Sequence, residues 1–193
     1  MNKILVVYKR CGLIIGNYRI LRGFFLRLLS ICYTANLKLA GAKIGKNSLI
    51  QYGTRVEKPK KLRVGSNCLI CKDVSIVSEL EEGELVIEDQ VQVNNGVILD
   101  HAGGIIIKKG TLISEQAIIY THSHGYNPRS NPKAIPLVIE ENTWIGSKAI
   151  ILPSVNKIEE GSIVASGAVL TKNTIRNSIF AGNPAKYIKD KPL

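Results

Sequence analysis

Residues 107–119 read IKKGTLISEQAII, residues 139–151 read IEENTWIGSKAII and residues 158–170 read IEEGSIVASGAVL. Written one above another, they place an aliphatic residue at every sixth position: Ile107, Ile113, Ile119; Ile139, Ile145, Ile151; Ile158, Val164, Leu170. A small residue follows four places later, at Thr111, Ala117, Thr143, Ala149, Ser162 and Ala168. A step of six matches neither the helical period nor strand alternation. It fits a three-sided coil in which each hexad makes one face and its aliphatic points inward onto the next coil. The small residue leaves room at the corner. The same step runs through Ile87, Val93 and Leu99 and begins at Ile44 and Ile50. The competing reading is a β-sandwich with accidental spacing.

The phase breaks in three places. Two residues are added between Leu99 and Ile107, and one between Ile151 and Ile158, which predicts bulges at corners. From Ile119 to Ile139 the step is twenty residues where six would do, and the surplus GYNPRSNPKAIPLV (125–138) holds three prolines. Proline cannot continue a coil wall, so this segment is predicted to leave the solenoid as a loop, often at a functional face. The chain therefore divides into a basic amphipathic segment at 1–41, a β-helix at 42–178 with its loop at 125–138, and a tail at 179–193. The fold class is all-β with an N-terminal helical appendage.

The 193 residues are 45% apolar and 21% charged, enough to build a core and too apolar for wholesale disorder. The net charge of +11 is unevenly placed: the first 56 residues carry ten Lys/Arg and no Asp or Glu. Such asymmetry points to an anionic surface as partner. In YRILRGFFLRLLSICYTA (18–35), Arg19, Arg22, Arg27 and Ser30 fall on one side of a helix; Leu21, Phe24, Phe25, Leu28, Ile31 and Cys32 fall broadly opposite. Either this apolar face packs on the body or a neighbouring subunit, or it lies in the interface of an anionic membrane. No uncharged run reaches the length of a spanning helix, and no signal peptide stands out. Cys11, Cys32, Cys68 and Cys71 suggest no disulfide framework; Cys68 and Cys71 sit in an apolar hexad without the further ligands a zinc site needs. Free thiols fit a reducing cytoplasm, and the expected location is cytoplasmic, at most peripheral to the inner face of the membrane. Nucleic acid is not an expected partner: the basic excess is not on the repeat and no recognised binding motif is present.

The strings IIYTHSHGYNP, VIEENTWIGSKAIILPSV, GSIVASGAVLTKN and FAGNPAKYI, in that order, resemble the maltose and galactoside O-acetyltransferase type of the hexapeptide-repeat acyltransferase superfamily, and most of all its members that act on bacterial surface polysaccharides. The resemblance covers about residues 85–190, more loosely from 42. It implies a left-handed parallel β-helix and a homotrimer with active sites between subunits. It also implies acetyl-coenzyme A as acyl donor, direct transfer to a glycan or small-molecule acceptor, and no metal.

The resemblance also assigns residues. His124 falls on the catalytic histidine, and imidazole has a pKa suited to taking a proton from a hydroxyl near neutral pH. His122 is a neighbour that shapes the acceptor pocket, or an exposed coil residue. Asp100-His101-Ala102 resembles a stretch of serine acetyltransferases in which the histidine is the base; here Asp100 and His101 line the acceptor site, act in that way, or mark a bulge. Asn94 matches an acceptor-contacting asparagine, against the alternative of a corner ladder. Trp144 flanks donor or acceptor, or stacks structurally. The backbone N–H at Ser147 matches the donor to the tetrahedral oxyanion. Ala165, Ser166, Gly167, Thr171 and Lys172 match the coenzyme A groove, and Lys172 and Lys186 are placed to meet phosphates. The expected activity is O-acetyl transfer to a sugar hydroxyl of a surface polysaccharide or its lipid-linked precursor. The alternatives are N-acetylation of an amino sugar, serine acetylation, and an inactive scaffold.

Overall fold

A computed structural model describes residues 3–192 of the chain. Met1 and Asn2 of the N-terminal segment and Leu193 of the tail lie outside the described residues. After one helix, Lys3–Leu39, everything regular is short β-strand apart from one 3₁₀ turn at Pro59–Lys61. The strands wind into a left-handed parallel β-helix with three faces.

The first face stacks Lys43–Ile44, Leu62–Val64, Leu85–Ile87, Ile105–Ile107, Leu137–Ile139 and Lys157–Ile158. The second stacks Leu49–Ile50, Leu69–Ile70, Gln92–Val93, Leu112–Ile113, Trp144–Ile145 and Ile163–Val164, closed by Ser178–Gly182 and Ala185–Asp190. The third stacks Arg55–Val56, Ser75–Val77, Ile98–Asp100, Ile118–Ile119, Ile150–Ile151 and Val169–Leu170. Registers are true to the repeat: Ile87, Ile107, Ile139 and Ile158 stand in one column, and Val93, Ile113, Ile145 and Val164 in the next. All eight are buried in one continuous core.

The corners show how a six-residue step closes a turn. Asn47, Asn67, Gln90, Gly110, Asn142 and Gly161 adopt positive φ at the corner between first and second faces. Glycine and asparagine tolerate that conformation best. Each corner is tied to the one below it, as in Asn142 N–H to Lys109 O at 3.0 Å and Gly161 N–H to Glu141 O at 2.9 Å. The small residues of the repeat follow one place later and point inward, where Thr111, Thr143 and Ser162 are buried. Cys68 and Cys71 also lie in the wall; burial pushes both thiols above their ordinary pKa, as suits structural residues.

The N-terminal helix is longer than the segment read from the sequence, is broken within, and docks by a face other than its apolar one. It runs through Leu39, twice the length read from the sequence, and is broken at Gly12 (φ 71°, ψ 178°). Tyr8 folds back there to donate a hydrogen bond to Asn17 Oδ1 at 2.6 Å. Nor does its apolar face pack on the body: Leu21, Phe24, Phe25, Leu28 and Ile31 are exposed. The face that docks is Ser30, Tyr33, Thr34 and Leu37, at i, i+3, i+4, i+7 spacing. The reason is an open backbone edge. The first coil has no coil before it, so its peptide groups need other partners. Thr34 Oγ1 accepts from Ile50 N–H at 3.0 Å, Ser30 Oγ accepts from Tyr52 N–H at 3.1 Å, and Tyr33 donates to Thr54 O at 2.5 Å.

The proline-rich segment leaves the coil as a hairpin. His122–Ser123 pairs antiparallel with Lys133–Ala134, and the wall resumes at Leu137 rather than after Val138. Gly103 sits at its neck, where a Cβ would come within 2.2 Å of Thr121 O and 2.4 Å of Ile135 N. Only glycine lets the two chains cross so closely.

Replacing Ile107, wholly buried in the first column, by Ala should lower the unfolding free energy by about 2–5 kcal/mol. Ile106→Ala, on the outer side of the same strand, should cost clearly less. Urea denaturation of the two variants checks the inward phase of the repeat.

Candidate active site

Three stacked strands of the third face end beside one another and carry the chemistry. Val77 stands in register with Asp100, and the strand Ile118–Ile119 pairs with Ile98–Leu99, bringing Glu79, Asp100 and His122 to one edge.

Asp100 is buried and organises the group. Its Oδ1 accepts from Ala102 N–H at 3.2 Å and its Oδ2 from Thr121 N–H at 3.2 Å. The same Oδ2 lies 2.6 Å from His122 Nδ1, a short charge-assisted contact. The Thr121 hydroxyl donates to the Asp100 carbonyl at 2.6 Å and accepts from Gly103 N–H at 2.9 Å, locking coil, neck and site together.

His124 follows on the hairpin, its ring edge-on to His122 with centroids 5.3 Å apart. Its Nδ1 lies 2.7 Å from Ser130 O, and Ser130 Oγ donates back to His124 O at 2.7 Å. A carbonyl can only accept, so Nδ1 carries the proton and Nε2 keeps a lone pair in the neutral ring. Nε2 faces Glu79 Oε2 at 3.4 Å, and His122 Nε2 faces the same oxygen at 3.2 Å. The Ser130 carbonyl, and to a lesser degree the Glu79 carboxylate, hold the His124 imidazole above its ordinary pKa. Two open cavities flank the cluster. One, of about 570 Å³, is lined by His124, Tyr126, Asn127 and Asn131; the other, of about 290 Å³, by Glu57, Glu79, Asp100, Tyr120 and His122. Glu79, His122 and His124 converge within 4.8 Å. Glu79 Oε2 stands 3.2 and 3.4 Å from the two Nε2 atoms, separations that suit hydrogen bonds and equally suit donors sharing one ion at roughly 2.0–2.2 Å per bond.

His101 does not line this site. Its side chain is 1% exposed, its Nδ1 lies 3.0 Å from Gly83 O, and its Nε2 has no partner. Burial pushes its pKa down. Its ring lies under the Gly83 carbonyl in the corner where the sequence adds two residues after Leu99. Asp100, placed with it in the sequence reading, faces His122 from below the surface.

The remaining residues stand at other places on the prism. Asn94 and Ser147 are at the corner between the second and third faces, half-buried, with Ala165, Ser166 and Gly167 one coil above Ser147. Asn94 Oδ1 accepts from Gln92 Nε2 at 2.7 Å. Trp144 is 46% exposed on the second face, and its Nε1–H donates to Ser114 Oγ at 2.8 Å. Thr171 and the exposed Lys172 follow the last strand of the third face, and Lys186 is exposed on the closing hairpin. The strand Ile98–Asp100 runs from the corner after Asn94 to the edge where Asp100 stands, so the histidines and the Asn94–Ser147 corner are at opposite ends of the third face. Glu79 and Ser130 were missed from sequence. Glu79 lies in SELEEGE, where the six-residue phase is lost, and Ser130 contributes a carbonyl that no side-chain pattern announces.

Because Glu79 favours the imidazolium of His124, Glu79→Gln should move the titration midpoint of His124 to lower pH while leaving it above the ordinary histidine value through Ser130. Proton NMR of the ring resonances across pH measures this; an unmoved midpoint would show that Glu79 does not act on His124.

The family profile described as hexapeptide repeat of succinyl-transferase matches residues 136–172. A colanic acid biosynthesis acetyltransferase by name, WcaF of Escherichia coli strain K12, is 27% identical over 156 residues, covering 80% of this chain and 72% of that protein. WbbJ of the same organism, named as a lipopolysaccharide biosynthesis O-acetyl transferase, is 30% identical over 120 residues, covering 55% and 61%. Among solved structures, the D94N variant of AntD, an N-acyltransferase from Bacillus cereus crystallised with dTDP and coenzyme A, superposes with a TM-score of 0.74 at 22% identity, covering 82% of this chain and 89% of that one. The chain thus carries the hexapeptide repeat and has the left-handed parallel β-helix fold of the hexapeptide-repeat acyltransferases to which it is similar.

Proposed function

We propose that the protein transfers an acetyl group from acetyl-coenzyme A to a sugar hydroxyl of a surface polysaccharide or its precursor. The observation that carries this reading is His124: its Nδ1–H is held by Ser130 O, and its Nε2 is left beside a carboxylate at the edge of an open cleft. That is the arrangement a general base requires. His124 Nε2 takes the proton of the acceptor hydroxyl as its oxygen attacks the thioester carbonyl. The tetrahedral intermediate, its oxyanion met by the backbone N–H of Ser147, then collapses, the C–S bond breaks, and the departing thiolate receives the proton. Asp100 orients His122, which with Glu79 borders the acceptor cavity.

The donor lies along the small-residue corner of Ser147, Ala165, Ser166 and Gly167 beside Trp144 and Thr171, with Lys172 and Lys186 for its phosphates. Within one chain this corner and Asn94 are separated from His124 by the third face, so a neighbouring copy completes the site in a homotrimer. O-transfer follows the names of WcaF and WbbJ. Transfer to an amine of a sugar is the second reading, favoured by the likeness to AntD. Serine acetylation through His101 is disfavoured by the burial of that ring.

Assayed with acetyl-coenzyme A, a panel of sugar and amino-sugar acceptors and a thiol-reactive dye, His124→Ala should cut turnover by about 10² or more. Undiminished turnover in this variant would remove the base assignment; acceptance of amino sugars alone would favour N-transfer.

Shared sites make a second prediction. His124→Ala and Trp144→Ala chains are each impaired alone. Co-assembled in equal amounts, they should recover about a quarter of wild-type turnover, since random mixing gives that share of interfaces two intact halves. No recovery would mean that each chain carries a whole site.

A further inference from the structure

The N-terminal helix leaves its largest apolar side chains in solvent. Leu13, Ile14, Ile15, Tyr18, Leu21, Phe24 and Phe25 are all more than half exposed, Ile14 by 85% and Phe24 by 70%. A contiguous patch of this kind marks a binding surface. Lys9, Arg10, Arg19, Arg22 and Arg27 are exposed on the same helix, and no Asp or Glu occurs in residues 1–56 to pair with them.

We propose that this helix docks the protein on an anionic lipid bilayer, lying in the headgroup interface without crossing it. By length and composition Leu5–Leu39 could cross a membrane. Its placement argues otherwise. Ser30, Tyr33, Thr34 and Leu37 are committed to the first coil. The stretch from the Gly12 break to Ser30 spans roughly 26 Å at about 1.5 Å per residue, short of the roughly 30 Å hydrocarbon core, and it carries three arginines. The non-helical backbone at Gly12 interrupts the regular helix, which a hydrocarbon core disfavours. Basic side chains among bulky Phe and Leu suit the interface, where phosphates meet the cations while the apolar groups enter the acyl boundary. A second copy of the helix is a poorer occupant, since it would bring arginines against arginines with no carboxylate between them.

The docking would place the active edge near the membrane. The helix caps the first coil, and the strands leading to Glu79, Asp100 and His122 lie one, two and three coils further, roughly 5–15 Å away at about 4.8 Å per coil. A glycan anchored in the same bilayer could reach that edge; this last step rests on the acyl-transfer reading, whereas the docking does not.

The test is flotation of the full chain with vesicles of phosphatidylcholine alone or mixed with phosphatidylglycerol. Binding should be at least about tenfold stronger to the anionic vesicles and weaken as salt is raised. Both Phe24→Ser/Phe25→Ser and Arg19→Glu/Arg22→Glu/Arg27→Glu should abolish it, with melting temperature and turnover on a soluble acceptor unchanged. Absence of vesicle binding, or equal binding to neutral vesicles and by the arginine variant, overturns the proposal. So does a wild-type mass in sedimentation equilibrium that falls in the phenylalanine variant without any lipid, since a second copy would then cover the face. Flotation reads no chemistry, so a chain that floats as expected but transfers no acyl group would sink the enzymatic reading and leave this one standing.

Discussion

Every coil of this solenoid depends on the hydrogen-bond ladder to its neighbours. A two- or three-residue strand such as Ile113 with Leu112 cannot hold a conformation alone; it does so because Ser114 N–H reaches Ile145 O and Asn94 N–H reaches Ile113 O. The aliphatic columns strengthen this ladder because the register that aligns the peptide groups also stacks Ile on Ile. Neither works without the other: a slipped register would send each inward residue to the outside. A six-residue step is the sequence's record of that double requirement.

A ladder of this kind has two open ends, and the chain closes each differently. At the far end, Ser178–Gly182 adds a parallel strand and Ala185–Asp190 folds back antiparallel upon it. At the near end, three hydroxyl side chains of a helix take the place of a missing coil. This explains an orientation that hydrophobicity alone would invert. Ser30 and Thr34 turn inward because unsatisfied backbone groups at Ile50 and Tyr52 are expensive, and Phe24 and Phe25 are consequently left outside. The helix's position is thus set by polar bonds, and its exposed apolar side is available for another purpose.

The solenoid was legible because its signal repeats: a residue out of phase at one coil is corrected by the next. The long break after Ile119 was legible for the same reason, as a departure from a known step. What remained hidden was everything that depends on distance across irregular segments. Glu79 lies between Val77 and Leu85, where the phase lapses, so its approach to His122 and His124 could not be counted out. His101 looked like a site residue from its neighbours in sequence, but its ring is turned inward onto Gly83 O. The amphipathic reading of 18–35 found the segment and left open what its apolar face covers; that another face docks on the first coil could not be read, because helical periodicity reports apolar contrast and carries no information about an exposed backbone edge elsewhere.

The separation of the candidate residues also has a structural logic. On a three-sided prism, residues before and after one strand of a face are kept apart by that strand, however close they are in sequence. Asn94 and Asp100 are six positions apart and stand at two corners. A single prism can therefore offer a fixed histidine pair at one edge and a run of small residues at another, yet cannot fold them toward each other without breaking the ladder. Under the acyl-transfer reading proposed above, a neighbouring prism is what unites the two edges. The hairpin beyond Thr121 carries His124 back to Glu79 and His122 on its own wall, and Ser130 keeps the ring's orientation fixed there. Rigidity of the coil and incompleteness of its site are, on this view, two consequences of one geometry.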